Sequence, residues 1–229
     1  MWPFRRCEIL TTYPRHRQVL KTSRCNAKCN PMNEIRAVCV YCGSGPGANP
    51  RFVEAAKSFG KLLADNRIKL VYGGGSIGLM GAVAKSVLDH GGRVTGVIPE
   101  FLMAREHAMA EAHELIVTPD MHARKQIMFD RADAFVALPG GVGTLEELVE
   151  QLTWAQLGRH TKPILIANID GFWEPFLKLI DHMRDMAFIR AGLSVNLLTT
   201  DRVSDIIPKL SAAMQENGNG KVREVVEKL

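Results

Sequence analysis

Residues 134–150 read AFVALPGGVGTLEELVE. The apolar run Ala134–Leu138 stops at Pro139, glycines follow at 140, 141 and 143, and apolar residues then recur at helical spacing. The pattern is strand, glycine turn, helix. One such unit is half of a parallel crossover, so the fold turns on whether the rest of the chain repeats it.

It does repeat. Strands are expected at 35–41, 68–72, 93–99, 113–119, 134–138 and 163–169. Helices are expected at 51–66, from the glycine turn YGGGSIGLMG (72–81) to Gly91, from an N-cap at Asp120, and at 144–157, 172–187 and 202–216. Residues 100–112 read as less regular, and the tail 217–229 as polar, then weakly amphipathic. Strands alternating with helices predict an α/β fold: a Rossmann-like, doubly wound parallel sheet in three layers, as one domain over 34–216. Ligands of such sheets sit at the carboxyl ends of strands, near the switch in strand order. No internal repeat is visible.

The chain has 229 residues, 46% of them hydrophobic, enough for a sizeable core. No apolar run approaches the roughly 18–20 residues of a membrane span, so no membrane partner is expected. Residues 1–31 carry seven basic side chains against Glu8 alone, a net +6, while the whole chain is +5. The remainder is therefore −1, and the basic balance belongs to the leader rather than to a nucleic-acid-binding domain. The leader lacks the apolar core of a secretory signal. Residues 1–33 are read as a basic extension, either disordered or preceding the true start at Met32; a targeting segment is the alternative. Five cysteines, at 7, 25, 29, 39 and 42, form an odd set, which fits a reducing, cytoplasmic setting. The spacing of Cys25, Cys29, Cys39 and Cys42 invites a zinc reading. Against it, Cys39 and Cys42 lie three apart in a strand and point to opposite faces. No metal is expected.

Two glycine turns open helices, at 72–81 and 138–147. Glycine lets backbone N–H groups approach an oxyanion, and a helix's first turn adds free donors and a partial positive charge. Each turn is thus a candidate phosphate cradle. Gly73-x-Gly75-x-x-Gly78, with Glu100 some way beyond, also fits a dinucleotide fingerprint. The second turn has no lysine after its last glycine and is not a Walker loop. Thr144-x-x-Glu147 has the spacing of a capping box, which would explain both residues without chemistry. A carboxylate one turn from a bound phosphate also sits at ribose distance. Both readings of Glu147 stay open. On the helix after Asp120, Met121, Arg124 and Met128 share a face, although charges such as Arg124 and Lys125 are more often solvated.

PGGVGTLEE (139–147) fits P-G-G-x-G-T-x-x-E, and MHARK (121–125) fits M-H-x-R-K. With YGGGSIGLMG and TWAQLG (153–158), in order from about residue 34 to 210, the chain resembles the cytokinin riboside 5′-monophosphate phosphoribohydrolase family, the "lonely guy" proteins, often labelled lysine decarboxylases. The resemblance implies a homodimer with active sites near the subunit interface. It would hydrolyse the N-glycosidic bond of N6-substituted AMP to free base and ribose 5-phosphate, with no cofactor. Arg124 and Glu147 then match the catalytic pair. Gly141, Val142, Gly143 and Thr144 match the phosphate loop, and Gly140, Leu145 and Glu146 flank it as candidate substrate-binding residues. Glu106, Lys125 and Thr153 match further substrate contacts, and Ser44, Gly74, Gly75 and Met121 complete the candidate set. Thr153 lies about 120° around the helix from Glu147, so it would serve a site shared with the second subunit, or only support it. His122 and Glu106 are the candidates for protonating the leaving base. Val142 stands where relatives often have an aromatic residue, which bears on the base preference.

Four rivals remain on sequence, one of them the NAD(P)-binding reading of Gly73–Gly78. A nucleosidase of broader specificity would take plain AMP or another nucleoside monophosphate. A carrier of a phosphate-bearing cofactor, like the molybdenum-cofactor carriers that resemble this fold, would bind without turnover. A pyridoxal phosphate decarboxylase would need Lys125 for its Schiff base.

Overall fold

The computed structural model describes residues 34–104, 107–189 and 197–218. Seven strands form one all-parallel sheet: β1 (Ala37–Tyr41), β2 (Lys69–Tyr72), β3 (Val94–Pro99), β4 (Glu114–Thr118), β5 (Ala134–Ala137), β6 (Ile164–Ala167) and β7 (Leu197–Thr200). The helices are α1 (Pro50–Asp65), α2 (Gly78–Asp89), α3 (Met121–Asp130), α4 (Val142–Gln156), α5 (Glu174–Asp185) and α6 (Ile206–Gly218). The strand order is β4-β3-β2-β1-β5-β6-β7. From β1 the chain winds outward to β4, then crosses back to β5 on the other side of β1. The doubly wound expectation is met, and the switch lies between β1 and β5.

The central strands are apolar on both faces because helices cover both. Val38, Val40 and Cys42 face a core shared with α1, α2 and α6. Ala37, Cys39 and Tyr41 face a core shared with residues of α3, α4 and α5, including Met128, Leu148 and Leu177. Cys39 and Cys42 therefore do lie on opposite faces of the sheet, so they cannot ligate one ion together. Among the described residues no cluster of metal-ligating side chains occurs. Cys25, Cys29, the leader and most of the tail lie outside the described residues. No helix among the described residues is long and apolar enough to cross a membrane.

Local signals explain most boundaries. Asn49 caps α1, accepting from the Arg51 N–H at 3.0 Å, with Pro50 in the first turn. Asp120 caps α3 as expected, accepting from the Ala123 N–H at 2.8 Å.

Three expectations need correction. The strand β7 lies beyond the six expected: LLTT is a short, half-buried edge strand without the long apolar run of its neighbours. The sixth strand stops at Ala167 instead of 169, because Ile169–Gly171 forms a 3-10 turn with Asp170 at φ +49°. The third correction concerns α4. Its N-cap is Gly141, in extended conformation, and its first residue is Val142. Thr144 is thus already the third helical residue and Glu147 the sixth, so they form no capping box. The spacing fits a box, but Gly141 caps the helix three residues before Thr144.

Candidate active site

The loops after β1 and β5 meet at the switch. The Gly43 N–H donates to the Pro139 carbonyl at 3.1 Å, which brings Ser44 beside the second glycine turn. In that turn the glycines have different tasks. A Cβ at Gly140 would overlap Thr144, lying 2.6 Å from its Cβ and 2.8 Å from its Cγ2. Gly140 is therefore needed for Thr144 to pack. A Cβ at Gly141 or Gly143 would meet nothing within 4 Å. These two glycines face open space beside the first-turn amides of α4, which have no acceptors within the helix. That is the arrangement of an anion cradle. Alanine at Gly141 meets no steric obstacle and gives up only glycine's preference at the N-cap of α4. Gly141→Ala is expected to cost about 1 kcal/mol of stability or less and raise KM for a nucleoside monophosphate about tenfold or more, whereas Gly140→Ala should cost about 1–3 kcal/mol and leave the open face of the loop unobstructed. Calorimetry beside steady-state kinetics separates the two; an unchanged KM for Gly141→Ala would remove this loop from the phosphate site.

The first glycine turn is different. The Leu79 and Met80 N–H groups at the start of α2 donate to the Gly43 carbonyl at 3.0 and 3.3 Å. The donors a pyrophosphate would use are already taken by backbone, which opposes the dinucleotide reading. Gly74 and Gly75 are buried. The Gly74 carbonyl accepts from the Met109 N–H at 2.9 Å, and Gly75 bridges to Ala108. Both lie beneath the segment after Glu106, and Glu106 itself lies outside the described residues.

Arg124 is not solvated. It is 5% exposed, and its guanidinium is pinned across two strand ends. Nε donates to the Val97 carbonyl at 3.1 Å and Nη2 to the Gly73 carbonyl at 3.0 Å. Nη1 lies 3.7 Å from the Met121 sulfur and 4.0 Å from a Glu147 carboxylate oxygen. Glu147 is 8% exposed and projects from the buried face of α4 with Thr144, Leu148 and Gln151. A buried carboxylate thus faces a buried, fixed cation one helical turn from the cradle. This pair was a candidate in the sequence; its burial and its anchoring to backbone were not legible there.

Lys125 is buried beside Arg124 but faces a different cluster. Its Nζ sits 2.5 Å from Glu146 and 3.0 Å from Glu150. Burial opposes its charge, yet hydrogen bonds to the two glutamates outweigh this and raise its pKa above the ordinary lysine value. Lys125 is held as an ammonium, and a Schiff base requires the neutral amine. A cation whose folded pKa is raised contributes stability that is complete below the unfolded lysine pKa and is lost as pH rises through the folded one. The stability difference between wild type and Lys125→Met should therefore be constant through neutral pH and shrink above about pH 10.5. Denaturant melts at pH 7, 9 and 11 check this; an equal difference at all three would contradict the pairing.

The remaining candidates are placed as follows. His122 is exposed on α3 and Met121 half-buried. Val142, Leu145 and Val149 form an exposed stripe on α4, at 84%, 36% and 41% exposure. Thr153 continues that stripe, its hydroxyl donating to the Val149 carbonyl at 2.8 Å. It does not face the Arg124–Glu147 pair. A groove of about 540 Å³ beside α2 is lined by Ser76, Gly81, Lys85, Met109 and Glu111, and no loop residue from 140 to 147 lines it. On this chain the cradle is an open shelf.

A family model described as possible lysine decarboxylase matches residues 80–210. A cytokinin riboside 5′-monophosphate phosphoribohydrolase of Arabidopsis thaliana is 51% identical over 179 residues, covering 78% of this chain and 82% of the relative. One from Oryza sativa subsp. japonica is 45% identical over 190 residues, covering 83% and 78%. Among solved structures, the molybdenum cofactor binding protein from Rippkaea orientalis superposes with a TM-score of 0.59 at 20% identity, over 78% of this chain and 97% of that one. At that identity the likeness is one of fold. The two plant relatives match along most of their own length, and the chain belongs to the cytokinin riboside 5′-monophosphate phosphoribohydrolase family.

Proposed function

We propose that this protein hydrolyses the N-glycosidic bond of N6-substituted adenosine 5′-monophosphates, releasing free base and ribose 5-phosphate. The observation that carries the reading is the Glu147 carboxylate: buried, 4.0 Å from the fixed Arg124 guanidinium, and one turn inside a helix whose entry glycines lie open. The 5′-phosphate docks on the amides of Gly141, Gly143 and Thr144. Phosphate at that point places the ribose over the first turn of α4, within reach of Glu147. As the bond to the base lengthens, positive charge develops on the sugar, and the carboxylate stabilises it. Arg124, 4.0 Å away, holds Glu147 in place. Phosphate binding, remote from the breaking bond, supplies energy to orient it.

The same reading assigns a homodimer. The stripe Val142, Leu145, Val149 and Thr153 leaves apolar surface beside the open shelf. A second subunit covering it would close each cradle and bring Thr153 toward the partner's site. Light scattering should then give twice the chain mass of 25.3 kDa.

The test is a comparison of N6-isopentenyl-AMP with the same nucleoside lacking phosphate, with plain AMP alongside. The nucleoside should fall short by about a hundredfold or more in kcat/KM. Equal rates for nucleotide and nucleoside would overturn the phosphate-anchored reading. The ratio of the two nucleotides measures the preference for the N6 substituent.

A further inference from the structure

The proposed function uses the second glycine turn and leaves the first without a task. Gly73 is its first glycine, and its backbone does not require glycine. Gly74 and Gly78 have φ of +83° and +59°, but Gly73 is absent from the left-handed region. Alanine is therefore allowed there by the main chain. What bars it is a side chain from 51 residues further on: a Cβ at Gly73 would overlap Arg124 Nη2 and lie 3.3 Å from Arg124 Cζ. The other near atom is the Met80 sulfur at 3.0 Å, the flexible end of a side chain. The same Nη2 donates to the Gly73 carbonyl.

We infer that Gly73 is a positioning residue for the reaction: its missing side chain is the slot that seats the Arg124 guanidinium and so sets its place opposite Glu147. The inference rests on the reading that Arg124 and Glu147 act together. The contacts that seat the guanidinium include the Val97 carbonyl, the Gly73 carbonyl and the surface of Gly73 itself. A methyl group on the third forces it off the other two. The carboxylate it faces is then met at a different angle and distance. Displacements of the order of 1 Å in a catalytic constellation cost about a hundredfold in rate.

The test is a double-mutant cycle on the full chain, with Gly73→Ala, Arg124→Ala and the pair, read by kcat, KM and thermal midpoint. Gly73→Ala alone is expected to lower kcat about a hundredfold with KM changed less than about threefold, and to lower the midpoint. In the Arg124→Ala background, adding Gly73→Ala should leave both kcat and midpoint nearly unchanged, because the clash has gone. Equal losses in both backgrounds, or full activity of Gly73→Ala, would overturn the slot. If Gly73→Ala does not fold, recovery of folding in the double variant supports the slot and failure of both overturns it. Arg124→Ala at wild-type rate would instead remove Arg124 from the proposed mechanism, while the coupling of the midpoints still decides the role of Gly73.

Discussion

Glu147→Gln is expected to lower kcat for N6-isopentenyl-AMP about a thousandfold, roughly 4 kcal/mol of transition-state stabilisation, with KM altered little. The carboxamide keeps the shape and one acceptor oxygen and loses the charge. If the role of Glu147 is to meet positive charge that appears only as the glycosidic bond breaks, the loss falls on kcat and not on ground-state binding. Stability should change little, because α4 begins at Val142 with Gly141 as its cap. Arg124 also keeps its bonds to the Val97 and Gly73 carbonyls. A capping residue would show the opposite pattern, with turnover intact and stability reduced by about 0.5–2 kcal/mol. Kinetics and calorimetry on one preparation distinguish the two.

Arg124→Ala should lower both activity and stability. The truncation leaves two buried carbonyls, on Val97 and Gly73, without their donor, and removes the cation opposite Glu147. Unsatisfied buried acceptors cost about 1–3 kcal/mol, which for a chain of this size lowers the unfolding midpoint by roughly 3–10 °C. Turnover should fall about a hundredfold or more, as the carboxylate loses its orientation. Arg124→Lys keeps a charge but lacks the planar fork that reaches two carbonyls at once, and should recover only a small part. Full stability together with lost activity would mean that Arg124 serves the ligand alone. Lost stability with normal turnover would mean that it serves the fold alone.

The parallel sheet was readable because each βαβ unit announces itself twice, by an apolar run and by a helical repeat after a turn. The edge strand β7 has neither a long run nor alternation, and its pairing with β6 is a tertiary fact. At the site, the glycine loop was readable from residue type, but the division of labour within it was not. Gly140 makes room for Thr144, while Gly141 and Gly143 face outward, and only packing tells them apart. Thr144 and Glu147 show how a spacing rule misleads when an unforeseen cap comes first. Arg124 looked like a surface charge because the groups that bury it are main-chain carbonyls at positions 73 and 97, which no side-chain pattern on α3 reveals. Lys125 stood beside it in the same motif, yet the fold turns it toward Glu146 and Glu150.

The central claim is that the open glycine cradle and the Glu147–Arg124 pair form a hydrolytic site and not a resting place for a phosphate. The most direct measurement is to incubate the purified protein with N6-isopentenyl-AMP and separate the products by chromatography, with Glu147→Gln in parallel. Wild type should release free base and ribose 5-phosphate in equal amounts over many turnovers, and the variant almost none. Tight binding of an intact nucleotide by both proteins, with no base released, would contradict the claim and make this chain a carrier.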